Sequence, residues 1–230
     1  MVETTLTKAG TTAPLREVGW LARQPAAFQD AVLEMGLLKP RQRSSYVYRA
    51  AQRPTALFAV VHGAVRIHFP LQHDEFLLYI GQVGFWFGEA ALVTGRPRIV
   101  SVSADTDCLL LEVPERPLTG LLARQPEHWR SLADLASQHL ELAMRIVAET
   151  LNLPPAPRIA RRLLDRVDAG ASGRVEIALS QADLAALVGL SRQRLNWHLQ
   201  EMANAGLLES RYGRIVVTKV ARLRELADGV

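Results

Sequence analysis

The chain has 230 residues, 49% of them hydrophobic and 22% charged, with 27 Lys+Arg against 23 Asp+Glu; this is a globular composition and excludes a disordered, collagen-like or mucin-like polymer. No apolar run reaches the ~18 residues a membrane span needs, and the single cysteine, Cys108, excludes an internal disulfide, a typical four-cysteine iron–sulfur cluster and a Cys-rich zinc site. Residues 1–153 carry 15 basic and 15 acidic side chains while residues 154–230 carry 12 and 8, so the net positive charge lies entirely in the last third, the electrostatic footprint of a nucleic-acid-binding segment.

The first twenty residues lack a basic segment followed by an apolar one and do not read as a secretory signal. A lone thiol fits a reducing, cytoplasmic interior. Residues 1–13, rich in Thr, Ala and Gly, read as disordered or as an arm. Residues 14–38 carry Leu15, Val18, Leu21, Phe28, Val32 and Met35 at helical spacing, interrupted by Pro25; short helices are expected. From 39 to about 115 the period shortens. Tyr46–Tyr48, Leu57–Val61, Ala64–Phe69, Phe76–Ile80, Phe85–Phe87, Ile99–Ala104 and Cys108–Val113 are β-type runs. Turn signals such as His62-Gly63, His73-Asp74 and Gly95-Arg96-Pro97 separate them. Short, evenly spaced strands suggest a sandwich, jelly roll or barrel.

Residues 126–151 form one long helix in this reading. Leu132, Leu135, His139, Leu142 and Ile146 recur at 3-4-3-4 spacing, the seam of a two-stranded coiled coil. A second stripe, Ala136, Leu140, Ala143 or Met144, Val147 and Leu151, lies on another face. Two stripes suggest packing on the helix's own domain and on the same helix of a second copy. His139 in the seam suggests a register sensitive to protonation. Leu153-Pro154-Pro155-Ala156-Pro157 ends the helix and reads as a stiff hinge. The expected domains are therefore 1–125, a dimerisation helix over 126–153, and 154–230.

Arg158–Val167 reads as a helix and Val175–Leu179 as a strand. Ser180 is an N-cap with Asp183 three residues on. Leu184, Ala185 and Val188 form an apolar face, and Gly189 ends the helix. Ser191 caps a second helix in which Leu195 and Leu199 face inward, leaving Arg192, Gln193, Asn196 and Trp197 outward. Two short helices on a glycine turn, the second presenting long polar side chains at its start, make a helix-turn-helix. Tyr212-Gly213-Arg214 between two β-type runs makes a hairpin wing.

This segment resembles the winged helix-turn-helix of the CRP/FNR family of bacterial transcription regulators. The order of parts does too. The most specific matches are LFAVVHGAVRI at 57–67, Phe87-Gly88-Glu89 and VGLSRQRL at 188–195. The resemblance implies an α+β chain: an antiparallel, jelly-roll-like β-roll that senses an effector, a long dimerisation helix, and a winged helix-turn-helix on double-stranded DNA. It further implies a homodimer on a near-palindromic operator, with RNA polymerase as partner. The sequence carries no Walker loop, Gly-x-Ser-x-Gly or HExxH motif, so no enzyme is expected, and the lack of a long apolar run leaves no membrane partner expected.

Arg192 matches the family position at which an arginine reads guanine, as the guanidinium fork fits the O6/N7 edge. Gln193 stands where the family usually has Glu, and Trp197 where it often has Arg. A Gln amide suits adenine, and an indole packs on a thymine methyl or a sugar, so the half-site is expected to differ from the family's best-known one. Ser180, Gln181 and Arg214, with Arg158, Arg161 or Arg162, are the expected phosphate contacts.

In the family's cyclic-nucleotide-binding members, Gly-Glu is followed by Arg and Ser or Thr, which hold the ribose and phosphate. Gly88 and Glu89 are present, Arg98 comes one residue early with Arg96 as a second anion contact, and Ile99 replaces the hydroxyl. Ala143-Met144 fall where the cyclic-AMP receptor has a polar Thr-Ser pair facing adenine. The expected effector is therefore a small molecule other than cyclic AMP. Alternatives are cyclic AMP or another cyclic nucleotide, or haem through His62, His68, His73 or His139. His62, His68, His73 and Glu75 lack the tight spacing of a jelly-roll metal catalyst.

Overall fold

The computed structural model describes residues 7–167, 170–211 and 213–229. Its compact units are Met1–Glu141 and Leu142–Val230. No helix among the described residues is long and apolar enough to cross a membrane.

The first unit opens with α1 (Lys8–Thr12), α2 (Pro14–Glu17) and α3 (Ala26–Met35). Part of the expected N-terminal arm is thus helical, because Thr7 caps α1 by accepting from the Gly10 amide; residues 1–6 lie outside the described residues. Strands follow: β1 (Leu37–Arg41), β2 (Tyr46–Tyr48), β3 (Ala56–His62), β4 (Val65–Leu71), β5 (Asp74–Gly81) and β6 (Trp86–Phe87). After α4 (Glu89–Thr94) come β7 (Ser101–Ala104), β8 (Cys108–Pro114), α5 (Glu115–Arg124) and α6 (Trp129–Asn152). They build two antiparallel sheets, β1-β8-β3-β6 and β2-β7-β4-β5.

Two of these elements escaped the sequence reading. The Leu37-Leu38 pair reads as a helix end, yet it starts β1. Pro40 is tolerated there because β1 is an edge strand, paired only with β8. In α5, Pro117 and Gly120 mask a helix whose Leu118, Leu121 and Leu122 are buried.

Strand β3 is buried on both faces, and this fixes the layers. Ala56, Phe58 and Val60 point between the sheets, with Tyr48, Phe87, Val102 and Leu110. Leu57, Ala59 and Val61 point the other way, onto Trp20, Leu21, Phe28, Leu118, Leu132 and Leu135. Each such aliphatic side chain is worth roughly 1.5–3 kcal/mol on full burial. The Trp20 indole donates to the Ser131 carbonyl at 2.9 Å, tying the N-terminal segment to α6.

The stripes of α6 divide differently from the sequence reading. Leu132 and Leu135, taken there as coiled-coil seam, are buried in the chain's own core. The exposed stripe is the second one: Leu140, Met144, Val147 and Leu151 are large apolar side chains in solvent.

The second unit continues with α7 (Pro155–Leu164), β9 (Val175–Ile177), α8 (Gln181–Val188), α9 (Arg192–Asn204), β10 (Leu208–Arg211), β11 (Arg214–Val217) and α10 (Val220–Asp228). The Pro run is not merely a hinge. Pro154 is the N-cap of α7 and Pro155 begins it, where a missing N–H costs no hydrogen bond. Strands β10, β11 and β9 form a small antiparallel sheet. Arg211 pairs with Arg214 across a two-residue loop, of which Tyr212 lies outside the described residues.

Candidate functional site

The helix-turn-helix is built from caps and a glycine. The Ser180 hydroxyl accepts from the Asp183 amide at 3.0 Å and donates to the Asp183 carboxylate at 2.6 Å, satisfying one of the free N–H groups of α8. Gly189, at φ +64°, ends α8 in a left-handed turn that costs a side-chain-bearing residue strain. The Ser191 hydroxyl then accepts from the Arg194 amide at 3.3 Å and starts α9. Leu195, Leu199 and Met202 are buried along one side of α9. Their burial fixes the rotation of the helix and leaves Arg192, Gln193, Asn196 and Trp197 in solvent, Trp197 at 61% exposure. This matches the sequence reading residue for residue, and Trp197 is not a core residue.

The Gln181 amide donates to the Ser210 hydroxyl at 2.8 Å, so it links α8 to the wing. Gln181, Asn196, Gln200 and Ser210 line a groove of about 450 Å³. In the wing, Arg214 donates to Glu176 at 2.5 Å. Such an exposed pair is worth ~0–1 kcal/mol, so a phosphate can compete for the guanidinium. No local pattern signals the neighbouring network, in which Arg174 holds both oxygens of Glu209 at 2.8 Å and Arg211 adds a contact at 2.9 Å. Those hydrogen bonds keep the Glu209 carboxyl below its usual range.

The arginines near the Pro run are a correction. Arg158 and Arg162 are buried. Arg158 donates to the Thr150 carbonyl at 2.6 Å, and Arg161 to the Ala227 carbonyl at 2.9 Å. Arg162 pairs with Glu149 and with Asp165. These guanidinium groups hold the domain together and are not free for phosphate. Composition counts charges but does not reveal their partners.

The residues expected around an effector are largely turned inward. Gly88, at φ +99°, caps α4, and a Cβ there would stand 2.8 Å from Arg98 Nη1. Glu89 is buried, and its carboxylate lies 2.8 Å from His139 Nδ1. Arg98 is buried as well. It donates to the carbonyls of Ala56 at 2.9 Å and Gly88 at 3.5 Å, and its guanidinium stacks 3.8 Å over the Tyr48 ring. Burial holds Arg98 below its usual value, opposed by Tyr48 and then Glu89; burial also pushes the Tyr48 hydroxyl up. Gly88, Glu89 and Arg98 thus come together, whereas Ile99 is 66% exposed and Arg96 is exposed. Ala143 and Met144 are exposed on α6.

His139 faces Glu89 and the Phe85 ring, 5.3 Å away, within the first unit, and not a helix seam. Leu132 and Leu135, seven and four residues earlier, are its neighbours on the helix face, which is the sequence signal that should have placed it. His62 and His73 are exposed, and His68 lies 3.3 Å from the Ser103 hydroxyl.

Residues 38–125 match the cyclic nucleotide-binding domain family, and residues 157–226 match the Crp-like helix-turn-helix domain family. The transcriptional regulator SdrP of Thermus thermophilus is 29% identical over 213 residues, covering 90% of this chain and 95% of that protein. The cyclic AMP receptor protein of the same organism is 30% identical over 181 residues, covering 76% of this chain and 81% of that protein. A crystal structure of a CRP/FNR-family transcriptional regulator, also from Thermus thermophilus, aligns with a TM-score of 0.70 at 27% identity, covering 84% of this chain and 98% of that one.

Proposed function

The chain belongs to the CRP/FNR family of transcription regulators, and from that premise we propose that it binds a near-palindromic operator as a homodimer under the control of a small effector other than cyclic AMP. The observation that carries the DNA reading is the capped start of α9, with Arg192, Gln193, Asn196 and Trp197 all in solvent. In a major groove, Arg192 pairs with a guanine edge and Gln193 with an adenine edge, each good bidentate pair giving ~1–3 kcal/mol of discrimination. Asn196 reaches a neighbouring base, and Trp197 packs on a thymine methyl or a sugar. Ser180, Gln181, Ser191 and Arg214 meet phosphates. Dimerisation uses the exposed stripe of α6. The protein acts in the cytoplasm, by binding and not by catalysis, and engages RNA polymerase on DNA.

The effector reading rests on the chemistry of the β-roll. Glu89 is held by His139, Arg98 by two backbone carbonyls, and Ile99 offers no hydroxyl. Ala143 and Met144 offer adenine no hydrogen bond. Each lost buried hydrogen bond costs ~1–3 kcal/mol, so two or three lower cyclic AMP affinity by ~30-fold or more. An effector shifts the dimer between arrangements in which the two α9 helices stand, or do not stand, ~34 Å apart.

Selection from a random DNA pool tests the function. An inverted repeat whose half-site differs from the family's standard one supports it; no enriched motif sinks it. Calorimetry with cyclic AMP tests the effector reading, which micromolar affinity would overturn.

A further inference from the structure

The helix-turn-helix carries a further charged surface on one flank of α9. Arg194 and His198 stand four residues apart on α9 and therefore share one flank of the helix. Arg194 is exposed, and its guanidinium has no hydrogen-bond or ion-pair partner among the described residues. His198 is half-buried, its ring 4.6 Å from that of Trp197. Arg158, on the packed helix α7, is buried, and its Nε has no hydrogen-bond partner among the described residues. Arg162 nearby is neutralised by Glu149 and Asp165, but among the described residues no such carboxylate contacts Arg158 or Arg194. Like charges held together without a counter-ion favour an anion.

We propose that Arg194 and His198 form a phosphate-binding flank of α9, with the buried Arg158 behind it as a fixed charge that touches no phosphate, at which a DNA phosphate meets Arg194 and drives uptake of a proton by His198. The proposal rests on the DNA-binding reading and adds a site to it. The charged groups acting on the imidazole are Arg194 and Glu201 of its own helix and Arg158 of α7. In the free protein, burial first, then Arg194 and Arg158, hold His198 below its usual value, against the pull of Glu201. The ring is therefore neutral at neutral pH. An arriving phosphate cancels the field of the arginines and favours imidazolium. The complex then holds one more proton per protomer, taken from solvent, so affinity rises as pH falls through the value His198 has in the complex.

The test is fluorescence anisotropy of the full chain on a duplex carrying its selected operator, from pH 5.5 to 8.0 and over a salt series. Wild type should bind more tightly toward low pH, by at most about tenfold per pH unit for each proton taken up. His198→Gln, with His198→Asn as a second variant, should flatten that dependence. Arg194→Ala should weaken binding to all sequences alike and reduce the log–log salt slope by ~0.9 per lost contact. An identical pH profile in wild type and both His198 variants overturns the proposal, as does an unchanged salt slope in folded Arg194→Ala. Absence of wild-type binding to any duplex at low salt instead sinks the DNA-binding reading beneath it.

Discussion

Truncating one residue of the exposed stripe of α6 should loosen the proposed dimer by a calculable amount. Leu140, Met144, Val147 and Leu151 are 63%, 65%, 56% and 77% exposed. Full burial of such a side chain is worth roughly 1.5–3 kcal/mol, so covering the exposed part adds about 1–2 kcal/mol each. A two-fold interface uses the same stripe from both copies, and the whole stripe then contributes roughly 8–16 kcal/mol, against an association cost of ~4–15 kcal/mol. Leu140→Ala removes about 1 kcal/mol per protomer and 2 per dimer, which is a ~30-fold higher dissociation constant. Alanine favours the helix, so α6 itself is not weakened. Sedimentation equilibrium reads the dissociation constant, and circular dichroism reports the fold. A folded Leu140→Ala variant that dimerises as tightly as wild type would refute the reasoning, as would a wild-type monomer.

Other substitutions probe the interior. Gly88→Ala places a Cβ at a positive φ and against an Arg98 guanidinium anchored to two carbonyls; urea denaturation should show a loss of about 2–4 kcal/mol, and a loss below about 1 kcal/mol would mean that Arg98 is free to move. Glu149→Ala leaves the buried Arg162 guanidinium with Asp165 as its one remaining carboxylate among the described residues, costing about 1–3 kcal/mol that Arg162→Met in the same chain should partly restore. Equal stability of the single and double variants would contradict that account. His139→Ala leaves the buried Glu89 carboxylate without its imidazole and should cost about 1–3 kcal/mol. The cost should shrink in a Glu89→Ala background, whereas strict additivity would show the pair to be uncoupled.

What could be read from the chain depended on whether the signal was local. Strand runs bounded by turn residues, the Ser180 and Ser191 caps and Gly189 act within a few residues, and the structure reproduces them. Heptad-like spacing does not say what covers a stripe. Leu132 and Leu135 satisfy the seam pattern yet belong to the chain's own core, and the bare stripe is the one through Leu140 and Met144. Partnering is equally invisible: Arg158 and Arg162 look free in sequence because Thr150 and Glu149, which hold them, lie on a different helix. Strand β1 was hidden because Pro40 and Lys39 suit an edge strand, which lacks the continuous apolar run of β3.

The most direct test of a paired α9 in the major groove is methylation interference at guanine N7 on the selected operator. Wild type should be blocked by methyl groups on two symmetry-related guanines about one duplex turn, ~10 base pairs, apart, and Arg192→Ala should lose sensitivity at those same guanines. Interference at a single patch, or at none, or an unchanged pattern in Arg192→Ala would contradict it.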